Sequence, residues 1–163
     1  MDAVTELTKN LATVEGLNLI LADIAEAERY SYDSEAKDFS RSLKGKVSNA
    51  FEELVRKLEK ERIIPASLEE RSDYFAELKS QLQSLPKIEI ELAFSPREEF
   101  INKISRFIRE STNSVQVLDI KVKPSILAGA TFGYNGQYKD YSFSSRLADV
   151  LKQKYAGGLR EDV

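Results

Sequence analysis

The spacing of the apolar residues changes once along the chain, near Pro86, and this change is the strongest constraint on the fold. Before it, apolar residues recur three and four positions apart, which places them on one face of an α-helix. Directly after it, the segment KIEIELAF alternates apolar and polar residues, which is the pattern of a half-buried β-strand. The chain is therefore predicted to begin with helices and to continue as a mixture of strands and helices.

The region before Pro86 contains four apolar stripes at helical spacing. The longest runs from Phe39 to Leu58 and predicts a single helix of about six turns. It ends at the sequence IIP, because a residue before proline is disfavoured in helical conformation. Ser67 and Glu70 form a capping box, which predicts the start of another helix that closes before Pro86.

The region after Pro86 continues with a helix and a second strand. Ser95, Pro96 and Glu98 predict a helix start with the proline at the first helical position. The segment VQVLDIKV then predicts a strand. Its apolar parity changes between Val117 and Leu118, so a bulge or burial on both faces is expected.

A hairpin and a final helix complete this region. Asn135-Gly136 is a strong hairpin signal, because a tight type I′ turn needs positive φ at both central residues. It should join strands at 130–134 and 137–141, and the last helix should follow Ser142. The predicted fold class is α+β, with an N-terminal helical bundle followed by a small C-terminal α/β lobe. The expected boundaries are 1–85 for the helical domain, 86–156 for the α/β domain and 157–163 for a flexible tail.

Composition excludes several kinds of active site. The 163 residues include no cysteine and no histidine, so a Cys nucleophile, a Ser-His-Asp triad and a His or Cys metal site are impossible within this chain. The net charge of −3 gives no electrostatic footprint for nucleic acid. Adjacent carboxylates such as Glu98-Glu99 fit helix-surface charges better than a catalytic pair. No catalytic residue, metal or cofactor is expected, and no apolar run is long enough for a membrane span.

The glycines of the hairpin invite a different interpretation, a loop that cradles phosphate or RNA. A phosphate loop, however, leads from a strand into a helix N-terminus, whereas Gly129, Gly133 and Gly136 lead into another strand. The segment GYNG contains the GxxG of a KH module, but it lies between two predicted strands. A turn at Gly136 and close packing at Gly129 and Gly133 are the favoured explanation.

Asp140 and Ser142 immediately precede the last predicted helix. Without a histidine to act as base, they are interpreted as a helix cap and not as an activated serine. Arg146 lies in the first turn, where its charge opposes the helix dipole. It should therefore have a partner, either Asp140 or a carboxylate across the hairpin.

Two sets of residues are candidates for binding another protein. Tyr134 and Tyr138 lie in the hairpin and are candidates for exposed contacts. Grooves between the first helices could hold an amphipathic helix, with walls formed by Leu17, Leu21, Phe51 and Val55. The simpler interpretation of most of these four residues is that they form the core.

The second region, from residue 88 to about 153, resembles the C-terminal domain of F-type ATP synthase delta subunits, called the oligomycin-sensitivity-conferring protein in mitochondria. The order of strand, helix, strand, hairpin and helix matches. The residues that match the family motif are Pro124, Ile126, Leu127, Gly129, Asn135, Gly136, Asp140, Ser142, Arg146 and Leu147. The preceding helical region is shorter than the six-helix bundle usual in the family.

The resemblance implies a non-catalytic stator subunit, part of the peripheral stalk of a proton-translocating ATP synthase. Such a subunit ties the catalytic head to the stalk and resists rotor torque. Its implied partners are the alpha subunits, at the helical domain, and the b subunits, at the C-terminal domain. The implied location is the cytoplasmic face of the bacterial cell membrane, reached through these partners. The alternatives are a stalk subunit of an archaeal or vacuolar-type rotary ATPase, or a small nucleotide- or RNA-binding module that uses the glycine hairpin.

Overall fold

Helical apolar spacing produces α-helices throughout the described part of the first region. The structure is a computed structural model that describes residues 3–31 and 39–156, with side chains as far as residue 149. The helices here are α1 (Ala3–Thr8), α2 (Val14–Ser31), α3 (Phe39–Ser42), α4 (Asn49–Lys60) and α5 (Leu68–Gln83). The chain divides into two compact units, with the boundary between Pro86 and Lys87. The predicted tail at 157–163 lies outside the described residues.

The long stripe that begins at Phe39 does not form one helix, so that prediction is wrong. Gly45 adopts a left-handed conformation, with φ of 73°, and separates α3 from α4. Ser48 then acts as a new N-cap, because its hydroxyl accepts a hydrogen bond from the Phe51 N–H at 3.3 Å. Much of the apolar stripe is buried on both sides of the break, namely Phe39, Leu43, Phe51, Val55 and Leu58.

The short helix α3 is held by side chains from α4 and α5. The Glu59 carboxylate of α4 accepts hydrogen bonds from the Phe39 N–H at 2.6 Å and the Ser40 N–H at 3.2 Å. From α5, the Arg71 guanidinium lies 4.5 Å from the centre of the Phe39 ring. Burial lowers the pKa of Arg71, an effect that the nearby Glu59 charge opposes. These contacts fix a four-residue helix that would not be stable alone.

The second unit is a four-stranded sheet with helices. Its elements are β1 (Lys87–Leu92), α6 (Glu98–Thr112), β2 (Val117–Val122), a 3₁₀ turn (Pro124–Ile126), β3 (Ala130–Tyr134), β4 (Gln137–Asp140) and α7 (Phe143–Ala156). The strand order is β2-β1-β3-β4. Strands β1 and β2 are parallel, whereas the other two pairs are antiparallel. The predicted α+β fold class is confirmed.

One face of this sheet forms the core of the unit. Ile90 of β1 lies opposite Ile120 on β2 and Phe132 on β3, so these residues share a face. Three isoleucines of α6, Ile101, Ile104 and Ile108, pack against it. Val117 and Leu118 are both buried and the β1–β2 register is unbroken, so the change of parity reflects burial on both faces and not a bulge.

Two predictions around the start of α6 are wrong. Phe94 was placed on the buried face of the strand, but β1 ends at Leu92 and Phe94 is 54% exposed. Pro96 is not the first helical residue, because α6 begins at Glu98 with Arg97 as its N-cap. The chain bends between β1 and α6, and this bend ends the alternation and moves the helix start beyond the proline.

The predicted hairpin is present. Strands β3 and β4 pair with Tyr134 opposite Gln137, and Asn135 and Gly136 between them have φ values of 48° and 75°. Gly129, at the base of the hairpin, also has positive φ, at 94°. A Cβ on Gly129 would lie 2.5 Å from the Tyr141 carbonyl oxygen, whereas a Cβ on Gly136 would meet nothing within 4 Å.

Alanine substitutions at the three hairpin glycines should therefore have graded effects on stability. Gly136→Ala should destabilise by about 1–2 kcal/mol, the cost of a left-handed conformation for an L-residue. Gly129→Ala should cost more, because it adds a clash with backbone atoms. Gly133→Ala is the control, since its φ is not positive and its added Cβ would make an ordinary 3.5 Å contact. Urea unfolding of the three variants measures the order, and equal losses at all three positions would contradict it.

Candidate functional site

No group of metal-ligating side chains is present among the described residues. Nowhere in these ranges do three or more acidic residues cluster as they would around a metal ion. The hairpin glycines also form no anion cradle of the phosphate-loop type, because β4 and not a helix follows Gly136. Exposed surfaces of the two units are further candidates for a functional site.

The junction between the hairpin and α7 is built as predicted for Asp140 and Ser142. The Asp140 carboxylate accepts a hydrogen bond from the Ser142 N–H at 2.8 Å. The Ser142 hydroxyl accepts one from the Ser145 N–H at 3.2 Å, which caps the start of α7. Hydrogen bonding from the Ser142 side chain, followed by that from its backbone, lowers the pKa of Asp140. The two residues thus serve the start of a helix.

Arg146 does not have the partner predicted for it. It forms no ion pair with Asp140, nor with any other carboxylate in the described part of the chain. The Asp140 carboxylate is already engaged by Ser142, and the Arg146 side chain is exposed to water, which reduces the cost of its position in the first turn. Leu147, the next motif residue, is 42% exposed.

The loop between β2 and β3 is joined to the start of α7. The Ala128 carbonyl oxygen accepts a hydrogen bond from the Phe143 N–H at 2.7 Å, and the Ile126 carbonyl oxygen accepts one from the Ser144 hydroxyl at 3.0 Å. The structure therefore brings Gly129, and the end of the 3₁₀ turn that begins at Pro124, close to the start of α7. Asn135 and Gly136 lie apart from this cluster, at the opposite end of the hairpin.

The predicted groove in the helical unit needs correction. Leu17, Phe51 and Val55 are at most 4% exposed and form the core of this unit, so they are not walls of an open groove. Only Leu21 of the four keeps partial exposure. Residues that form a core and residues that line a groove have the same helical spacing. The alternative interpretation, that these residues form the core, is correct for Leu17, Phe51 and Val55.

Two open concavities occur elsewhere in the described helical unit. A groove of about 140 Å³ lies between α1 and α5, lined by Ala3, Val4, Tyr74, Glu77, Leu78 and Gln81. A wider cleft of about 790 Å³ involves α3 and α4 and has a charged lining of Ser40, Arg41, Lys44, Glu52, Arg56, Glu59 and Lys60. The lining of the α1–α5 groove is mixed, since the apolar Val4 lies beside the polar Glu77 and Gln81.

The two candidate tyrosines of the hairpin are on the surface. Tyr134 is 39% exposed and Tyr138 is 62% exposed, so both are accessible to another protein. They are not paired across the hairpin, since Tyr138 lies opposite Gly133. Because Tyr134 lies opposite Gln137, the two rings do not form an aromatic pair across the strands.

Sequence reasoning missed an exposed aromatic surface beside α6. Phe94, Phe100 and Phe107 are 54%, 41% and 69% exposed. Phe100 and Phe107 lie on the same helix as the buried-face isoleucines Ile101, Ile104 and Ile108. Their positions lie some 60–100° around the helix from the centre of that face, and this angular offset was the available signal.

The Asp140 cap makes a pH-dependent contribution to stability. Because the pKa of Asp140 is lowered in the folded state, its contribution is present above the ordinary carboxyl pKa and is lost as the pH falls through the folded pKa. Asp140→Asn should therefore reduce stability more at pH 7 than at pH 2. Urea unfolding of both proteins at each pH measures this.

A second substitution tests the cause of that pH dependence. In a Ser142→Ala background the hydroxyl donor is absent, so the pH-dependent effect of Asp140→Asn should be smaller. A penalty for Asp140→Asn that is equal at pH 2 and pH 7 would contradict the assignment.

Comparison with known proteins relates both units to one family. The family model for the ATP synthase delta (OSCP) subunit matches residues 1–153, so it includes the helical region as well as the region recognised from its motif. The ATP synthase subunit delta of Thermosipho melanesiensis is 24% identical over 111 residues, which are 68% of this chain and 60% of that protein. The match thus spans three-fifths of the length of this curated relative.

A solved structure also aligns with the chain. It is a chain of the Toxoplasma gondii mitochondrial ATP synthase hexamer, with a TM-score of 0.38, 14% identity and coverage of 94% of this chain and 93% of that one. Within the described residues, no helix combines the length and apolar character needed to cross a bilayer. The match of the family model to nearly the whole sequence confirms the resemblance: this chain belongs to the ATP synthase delta (OSCP) subunit family.

Proposed function

We propose that this chain is a non-catalytic stator subunit of an F-type ATP synthase, which links the catalytic head to the peripheral stalk and resists rotor torque. The observation that carries the proposal is the match of the delta (OSCP) family model over residues 1–153. The naming of a relative as ATP synthase subunit delta supports it. The chemistry of the chain agrees, because no cysteine or histidine is available and no acidic metal cluster occurs in the described ranges.

The helical unit binds the N-terminal helices of the alpha subunits in this proposal. The α1–α5 groove supports the assignment, because the partly exposed Val4 and Tyr74 are bordered by the exposed polar residues Glu77 and Gln81. An amphipathic helix laid in such a groove would bury its apolar face and leave its polar face in water.

The second unit binds the C-terminal end of the b subunits. Its large exposed hydrophobic residues support this role, since a surface with many exposed aromatic rings is typical of protein-binding sites. Tyr134 and Tyr138 are among them. Through these partners the protein would be held at the cytoplasmic face of the bacterial cell membrane.

Binding measurements with the complete chain test both assignments. The N-terminal segment of alpha and the C-terminal segment of b from the same organism should each bind at micromolar concentration. Binding of neither segment, together with binding of labelled nucleotide or RNA, would favour the alternative module. Binding only to stalk subunits of an archaeal or vacuolar-type rotary ATPase would favour the other alternative.

A substitution at the groove rim tests the alpha assignment. Gln81→Tyr should weaken alpha binding about tenfold or more, because the larger ring would obstruct the α1–α5 groove that Gln81 lines. Gln83→Tyr is the matched control, because Gln83 is exposed on the same helix but does not line the groove. Binding of b should be unchanged in both variants. Equal alpha affinity for the two variants would rule out this groove.

A further inference from the structure

Three phenylalanine rings form an exposed surface along α6, here called the phenylalanine ridge and defined by Phe94, Phe100 and Phe107. The centroids of the Phe94 and Phe100 rings are 6.3 Å apart, within the range of favourable aromatic contact. Each of the three side chains is more than two-fifths exposed. Exposing this much aromatic surface is unfavourable in water unless another molecule covers it.

The ridge is separate from the apolar face that holds α6 on the sheet. Ile101, Ile104 and Ile108 pack against the sheet, whereas Phe100 and Phe107 stay exposed beside them. Because they are seven residues apart, Phe100 and Phe107 lie nearly in line, roughly 10 Å apart along the helix axis. Phe100 and Phe107 are thus aligned over about two helical turns on one side of α6, and removing a ring should not disturb the core.

Positive charges border the ridge. A cavity of about 310 Å³ is lined by Phe94, Ser95, Arg97, Glu99, Phe100 and Lys103. Neither Arg97 nor Lys103 has an ion-pair partner in the described part of the chain. Since Glu99 is the one carboxylate in the lining, this end of the ridge carries a net positive charge.

We propose that the phenylalanine ridge is the docking site for an amphipathic α-helix of the b subunit that has acidic residues beside its apolar face. A partner helix with apolar residues at i, i+3 or i+4 and i+7 matches the length of the ridge. Its acidic residues would pair with Arg97 and Lys103, which gives orientation and charge complementarity. The inference rests on the proposed function, because it locates the b contact of the second unit.

Charge also argues against a second copy of this chain as the occupant. A twofold contact places the same surface patch of both copies together. Arg97 and Lys103 of one copy would then face the same cations of the other, which is unfavourable. A partner with acidic residues avoids this repulsion.

Binding of the complete chain to the b C-terminal segment tests the inference by fluorescence anisotropy. Phe107→Ala should weaken binding at least about tenfold, as expected for a large aromatic residue that is buried in an interface. Leu19→Ala is the matched apolar control, because Leu19 is 71% exposed and lies on α2 of the other unit. Thermal unfolding should be nearly unchanged in both variants, since both side chains are largely exposed.

A charge exchange tests the orientation of the partner. Lys103→Glu should weaken binding, whereas Lys57→Glu on α4 of the other unit should not. Replacing the acidic residues of the b segment with lysine, one at a time, should identify one that restores binding to the Lys103→Glu protein. This rescue would not occur if Lys103 acted only on the stability of the unit.

The outcomes separate the inference from the proposed function. If the unmodified chain does not bind the b segment, both the b assignment and the ridge are rejected. If it binds but Phe107→Ala and Lys103→Glu bind equally well, the ridge alone is rejected. Binding of the chain to vesicles of anionic lipid, lost in Phe107→Ala while b binding is kept, would assign the ridge to a membrane surface and overturn the inference.

Discussion

The second unit depends on the alternation of apolar and charged residues in β1. This strand is central, because it pairs with β2 on one side and with β3 on the other. Its apolar residues Ile88, Ile90 and Leu92 form the core under α6, and its charged residues face the other side of the sheet. There Glu91 accepts hydrogen bonds from the Lys123 ammonium at 3.1 Å and the Thr131 hydroxyl at 3.1 Å, and the Lys123 contact is the main cause of its lowered pKa. One six-residue strand therefore organises an apolar core and a paired polar surface.

Local patterns predicted the elements of this fold better than they predicted their ends. Three features could be predicted because each depends on nearby residues: the Asn135-Gly136 turn, the Ser67 cap and the change of apolar period at Pro86. Ser67 does accept the Glu70 N–H at 3.3 Å. The end of α3 near Gly45 could not be predicted, because the apolar spacing continues through this position and glycine is tolerated in many helices.

The candidate surfaces were harder to predict, since exposure depends on how elements pack. Leu17, Phe51 and Phe107 all sit at helical spacing, yet the first two are core and the third is mostly exposed. The spacing identifies an apolar face but not the neighbour that covers it. For Arg146, the sequence indicated that the unfavourable interaction between its charge and the helix dipole must be offset. Exposure to water, and not a carboxylate partner, reduces this cost.

The hydrogen bonds at the base of the hairpin have a mechanical consequence. The Tyr141 N–H bonds to the Ala130 carbonyl oxygen, the Phe143 N–H to that of Ala128, and the Ser144 hydroxyl to that of Ile126. A force that pulls α7 away from the sheet would load these three bonds together, because they lie side by side along two adjacent segments. Bonds loaded in parallel must break together, so they resist more force than the same bonds broken one after another. For a subunit proposed to hold a stationary head against a turning rotor, this junction is a point that resists tension.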